Sequence, residues 1–65
     1  MQIYLNGEQQ NTQCSTLLEL IQHLSLEGKR FAVECNEMII AKSKLAQVIL
    51  QENDKIEIIH AVGGG

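Results

Sequence analysis

Four side chains in this sequence could serve as a nucleophile or as the base that activates one: Cys14, Cys35, His23 and His60. A nucleophile needs its base within hydrogen-bond reach and an orienting group behind it. No spacing here brings a Cys and a His together. The cysteines lie 21 positions apart, which fits neither a C-x-x-C redox pair nor the close ligand pairs of a zinc site. In a reducing compartment they read as small core hydrophobes. The acids fare no better, since Glu34 and Glu37 flank a predicted turn and the others fall on predicted wet faces. A phosphate-cradling loop needs glycine between a strand and a helix start, and the only such place, "QCS" before Thr16, has none. Catalytic and metal-ligating residues are therefore expected to be absent from the domain.

What is left is the end of the chain, Val62 followed by Gly63, Gly64 and Gly65. Glycine tolerates unusual φ and has no side chain, so these residues could be threaded through a passage too narrow for any other type. Fully extended, three residues reach about 10 Å at roughly 3.3–3.6 Å each. A flexible tail over 63–65 would then hold a terminal carboxylate clear of the domain and inside a partner's active site. The bland reading, a frayed end or an appended scar, stands beside this one. A carboxylate with an ordinary pKa near ~3.5 is ionised and inert toward nucleophiles at neutral pH, so the chemistry would begin by making it a mixed anhydride.

The elements that must carry this tail are legible from periodicity. "QIYLN" alternates, with Ile3 and Leu5 on one face, and Asn6-Gly7 is a two-residue hairpin signal leading to a polar strand from Glu8 to Gln13. In "TLLELIQHL", Leu17, Leu20, Ile21 and Leu24 fall at i, i+3, i+4 and i+7, which turns all four to one side of a helix. Thr16 and Glu19 have the spacing of a capping box, so the helix should run from Thr16 to about Leu24. "LEGKR" reads as loop, and in "FAVEC" Phe31, Val33 and Cys35 share a face. Asn36-Glu37 turns the chain into "MIIA". From Lys42 to Leu50 only Leu45, Val48 and Ile49 have helical spacing, in a stretch short enough to be irregular. "END" is a turn in which Asn53 can take a left-handed conformation. "KIEIIHAV" is the last strand, with Ile56, Ile58, His60 and Val62 on one face and Glu57, Ile59 and Ala61 on the other. The order β-β-α-β-β-(irregular)-β describes an α+β domain with one helix laid over one sheet.

Size and composition set bounds on function. With 65 residues there is room for a single domain over 1–65, and 45% apolar against 20% charged residues is a globular balance. The net charge is −3 and the five basic residues (Lys29, Arg30, Lys42, Lys44, Lys55) are scattered, so no stripe could neutralise a run of phosphates. Nucleic acid is not expected as a partner. No apolar run approaches the ~20 residues of a membrane span, and "MQIYLNGE" has neither the basic start nor the apolar core of a signal peptide. The expected location is the cytoplasm, with no membrane partner.

Taken together, "MQIYLNGE", "TLLELIQHL", "FAVECNEMIIAKSKL" and the glycine tail closing "NDKIEIIHAVGGG" resemble the ubiquitin-like sulfur carriers, most closely those of thiamine biosynthesis. The likeness spans the whole chain, and its most specific element is the glycine end after a hydrophobic strand. It implies a β-grasp (ubiquitin-like) fold: a mixed four- to five-stranded sheet, first and last strands side by side, one helix packed across. It implies a carrier rather than an enzyme, with Gly65 as the residue modified. An adenylating (E1-like) partner would spend ATP to form an acyl-adenylate on its carboxylate, with no cofactor held by the carrier. Sulfur from a donor such as a cysteine desulfurase would convert it to a thiocarboxylate, and thiazole synthase would take that sulfur. Val62, Gly63 and Gly64 would lie in the partner, and Ile59, on the face opposite Ile56 and Ile58, would belong to an apolar docking patch. Asn53 stands where this family commonly has Gly, a change its backbone tolerance absorbs. The runner-up readings are a carrier for molybdopterin or another pathway, a ubiquitin-like protein modifier, and a noncovalent interaction module. The prolines often found before the glycines in the molybdopterin-synthase small subunit are missing.

Overall fold

In the computed structural model, residues 1–60 are described. They form β1 (Gln2–Leu5), β2 (Glu8–Asn11), the helix α1 (Leu17–His23), β3 (Phe31–Cys35), β4 (Met38–Ile40), a 3-10 segment (Lys42–Gln47) and β5 (Lys55–His60). The strands make one five-stranded mixed sheet in the order β2-β1-β5-β3-β4. β1 and β5 pair in parallel at its centre, with Tyr4 against Lys55 and Leu5 against Ile56, and every other pairing is antiparallel. This is the β-grasp arrangement, the first and last strands adjacent and one helix across the sheet.

Both hairpins turn through positive φ, which suits Asn6, Gly7 and Asn36 but not Glu37. Asn6 and Gly7 have φ of 51° and 83°, and Asn36 and Glu37 have 52° and 70°, the pattern of tight turns whose twist matches the strands they join. Asn53 takes φ 69° in the turn before β5, as its residue type allows. Asn6 and Asn36 also bond across the sheet: Asn6 Oδ1 accepts from the Ile58 amide at 2.8 Å, and Asn36 Oδ1 from the Lys55 amide at 3.0 Å.

α1 starts as its sequence dictates. Thr16 Oγ1 accepts from the Glu19 amide and Glu19 Oε1 accepts from the Thr16 amide, a complete capping box. Its end is a Schellman motif, with Ser25 N–H donating to Gln22 O and Leu26 N–H to Ile21 O. Ser25 occupies the left-handed position at φ 60°, where glycine is usual. That reversal carries Leu26 into the core. A leucine in a stretch that reads as loop is thereby buried.

The core joins Leu17, Leu20 and Ile21 of α1 to Ile3, Leu5, Val33, Ile56 and Ile58 of the sheet, with Leu26, Leu45 and Leu50 closing its lower edge. Leu24 is only half-buried, since it caps the helix at the point where the chain turns away. Cys14 and Cys35 are also half-buried against the core rather than inside it. β2 ends at Asn11, two residues short of Gln13, and beyond it only Thr12 still pairs, its N–H donating to Met1 O at 2.8 Å and its carbonyl accepting from the Met1 ammonium at 3.0 Å.

The stretch read as irregular is a 3-10 segment followed by extended chain, and one further expectation, on Asp54, is corrected. The helical spacing of Leu45, Val48 and Ile49 does not make one apolar face: only Leu45 is buried, Val48 is extended, and Ile49 is exposed. The cause is an antiparallel bridge of Ile49 to Thr16, in which Leu17 N–H donates to Val48 O and Leu50 N–H to Ser15 O. This pulls the segment straight and turns Leu50 inward. Asp54, read as solvated with the other acids, is buried, its carboxylate accepting from Gln51 N–H at 2.8 Å and Asn36 Nδ2 at 2.9 Å.

Candidate functional site

With α1 on one face of the sheet, the opposite face is bare. Residues paired directly across two strands point the same way, so the pairs Ala32 with Ile59, Glu34 with Ile39 and Glu34 with Glu57 put all five on that outer face. Ile59 is 71% exposed and Ile39 79% exposed. Two large β-branched side chains thus stand in water on this face, Ile59 directly across from the small Ala32 and Ile39 across from Glu34 in the next row. Beside them Glu34 and Glu57 face each other in register, a like-charge pair that costs stability. The face thus mixes two exposed isoleucines with two adjacent carboxylates.

Ile59 lies where the strand pattern of β5 puts it. Ile39 was missed by sequence reading because the three residues of β4 are too few to show a period, and only its pairing with Glu34 settles its face. β5 then delivers the chain past this patch: His60, the last described residue, pairs with Phe31 at the start of β3. The remaining candidates, Val62, Gly63, Gly64 and Gly65, lie outside the described residues.

The possible nucleophiles separate differently than their spacing suggests. Cys14 and His23 line one open cleft with Thr12, Glu19 and Leu20, so the fold does bring a Cys and a His to the same wall. Glu19, the acid that could orient His23, is instead committed to the amides of Ser15 and Thr16 at 2.7 and 3.0 Å. That cleft lacks an assembled base. Cys35 is held as a thiol: burial, and after it the negative charge of Asp54, push its pKa above the ordinary value. Among the described residues, no three of His, Cys, Asp and Glu gather as a metal site, and no helix is long and apolar enough to cross a membrane.

The chain's likeness to known proteins runs its whole length. The sequence model of the ThiS family matches residues 2–65. The sulfur carrier protein ThiS of Bacillus subtilis is 44% identical over 50 residues, covering 77% of this chain and 76% of that protein. A thiazole synthase of Magnetococcus marinus is 41% identical over 66 residues, which take in 100% of this chain but 20% of that protein. A second thiazole synthase, from Paramagnetospirillum magneticum, is 39% identical with the same coverage, so the chain spans about a fifth of the length of these two relatives. The crystal structure of the thiamine biosynthesis protein ThiS from Geobacter metallireducens matches over 100% of both chains with a TM-score of 0.82. At 20% identity that agreement concerns the fold.

Proposed function

The chain belongs to the ThiS family, and from that membership we propose that it is the sulfur carrier of thiazole formation in thiamine biosynthesis, acting through the carboxylate of Gly65. The observation that carries this reading is the family match over residues 2–65, which takes in the glycine end itself. The Bacillus subtilis relative, named a sulfur carrier, supports it.

The chemistry follows from what a carboxylate needs. A carboxylate oxygen of Gly65 attacks the α-phosphorus of ATP on an adenylating partner, and pyrophosphate leaves. A sulfide equivalent from a sulfur donor then attacks the acyl carbonyl, AMP leaves, and a thiocarboxylate remains. Glycine keeps that carbonyl open to the incoming atom. In this reading the chain is a co-substrate of its partners rather than an enzyme.

Thiazole synthase is the proposed acceptor. Support comes from the two thiazole synthases that contain a segment similar to all 65 residues of this chain. One polypeptide holding both would keep the sulfur at high effective concentration beside its acceptor. For the adenylating partner, the outer face around Ile59 and Ile39 is the proposed seat, because it is apolar, exposed and traversed by the strand that leads to the tail.

The test is intact mass after incubation with ATP, an adenylating enzyme and a sulfur source. A shift equal to sulfur replacing oxygen at the C-terminus is the expected result, absent from a chain lacking Gly65 that melts as the parent does. Attachment to lysines of other proteins would favour the modifier reading instead. Normal pyrophosphate exchange by the chain without Gly65 would sink the proposal.

A further inference from the structure

The basic residues look scattered along the sequence, but the fold gathers three of the five. Lys29, Arg30 and Lys42 line a groove of about 390 Å³ between α1 and the 3-10 segment. Its floor is apolar, formed by Leu18, Ile21, Phe31 and Leu45. Lys42 is held in place: its ammonium sits 4.5 Å from the centroid of the Phe31 ring and donates to Lys29 O at 3.2 Å. Only one of the chain's eight acids, Glu27, reaches this groove, and its carboxylate accepts from Gln22 Nε2 at 3.2 Å. In a molecule of net charge −3, the groove is a cationic exception.

We propose that this groove is a docking site for an acidic peptide segment of a partner protein, one bulky apolar side chain on the Leu18, Ile21, Phe31 and Leu45 floor and its carboxylates against Lys29, Arg30 and Lys42. The choice of occupant follows from charge complementarity. An apolar floor alone would accept any hydrophobic segment, but a cationic rim on an acidic protein attracts a segment of opposite sign and repels basic ones. Lys42 arrives with part of its side-chain entropy already spent on the ring contact, and its ammonium retains donors for a carboxylate. Because Phe31 pairs with His60, the groove lies at the end of the sheet where β5 closes. A protein holding the chain beyond His60 is therefore within reach of it. The site uses the helix side of the sheet, so it can be filled while the outer face is occupied. It does not depend on sulfur transfer being the chain's function.

The experiment is a titration of the isotope-labelled 65-residue chain, followed by amide chemical shifts, with the synthetic peptide Asp-Glu-Leu-Phe-Asp-Glu. The expected result is a set of saturable shifts around Leu18, Ile21, Phe31 and Leu45, weakened as salt shortens the Debye length from about 10 Å at 0.1 M to about 3 Å at 1 M. Arg30→Glu and Lys42→Glu should each weaken binding about fivefold, the equivalent of one surface ion pair. Arg30 serves as the second variant should loss of the Lys42 ring contact disturb the fold. Equal binding of a Lys-Lys-Leu-Phe-Lys-Lys peptide, the same shifts with inorganic pyrophosphate alone, or no shifts at millimolar peptide would each overturn the proposal.

Discussion

Asn36 Nδ2 donates to Asp54 Oδ1 at 2.9 Å across 18 residues of sequence, tying the turn after β3 to the residue just before β5. The second carboxylate oxygen accepts from Gln51 N–H, and Tyr4 N–H donates to Asp54 O, so this one residue joins three segments. Asp54→Ala would leave the Gln51 amide and the Asn36 carboxamide without their acceptor. It should cost about 1–3 kcal/mol, measured by urea denaturation. Wild-type stability would mean water replaces the carboxylate.

The helix stripe is not uniform in depth, and its mutants should not be either. Leu20 is buried against the sheet while Leu24 is half-exposed at the C-cap. Leu20→Ala should cost about 2–5 kcal/mol and Leu24→Ala under about 2 kcal/mol. Equal losses would misplace the end of the helix.

Ser25 holds a left-handed backbone at φ 60° in the Schellman turn. Relief of that strain outweighs the added freedom of glycine in the unfolded chain, so Ser25→Gly should raise stability by up to about 1 kcal/mol. A drop in melting temperature would instead assign the Ser25 hydroxyl a stabilising contact.

On the outer face, Ile59→Lys is the informative change, because Glu34 and Glu57 on the same face already disfavour another acid. With the side chain exposed, folding stability should move by no more than about 1 kcal/mol. Affinity for the adenylating partner should fall, as read by calorimetry. Binding at wild-type strength would remove this face from the proposed interface.

Cys35 offers a pH signature. Its pKa is raised in the folded protein, chiefly by burial, so folding favours the neutral thiol. Its contribution to stability is intact below the unfolded thiol's pKa, near ~8.5, and is lost as pH climbs from there through the folded value. The stability difference between wild type and Cys35→Ala should therefore be constant near neutrality and shift against wild type across that alkaline window. Its alkylation at pH 8 should be slower than that of a free thiol. A difference between the two proteins that stays flat with pH would refute the assignment.

The element types, both hairpin turns, the helix start and most of the core were determined by the sequence alone, because each rests on interactions a few residues apart. Asn6, Gly7 and Asn36 accept positive φ by their own backbone preferences, and Thr16 meets Glu19 within one helical turn. Alternation along β1 and β5 likewise shows which face of each strand is buried. The tertiary structure decided what depends on partners far along the chain. Asp54 is buried because Asn36 lies beside it, Leu50 because Ile49 bridges to Thr16, and Ile39 is assigned a face only by pairing with Glu34. Lys29, Arg30 and Lys42 form one cationic rim because α1 and the 3-10 segment close on each other. Periodicity reports the side on which a residue sits in its own element. Which residues meet across elements depends on chain crossings that no local pattern records.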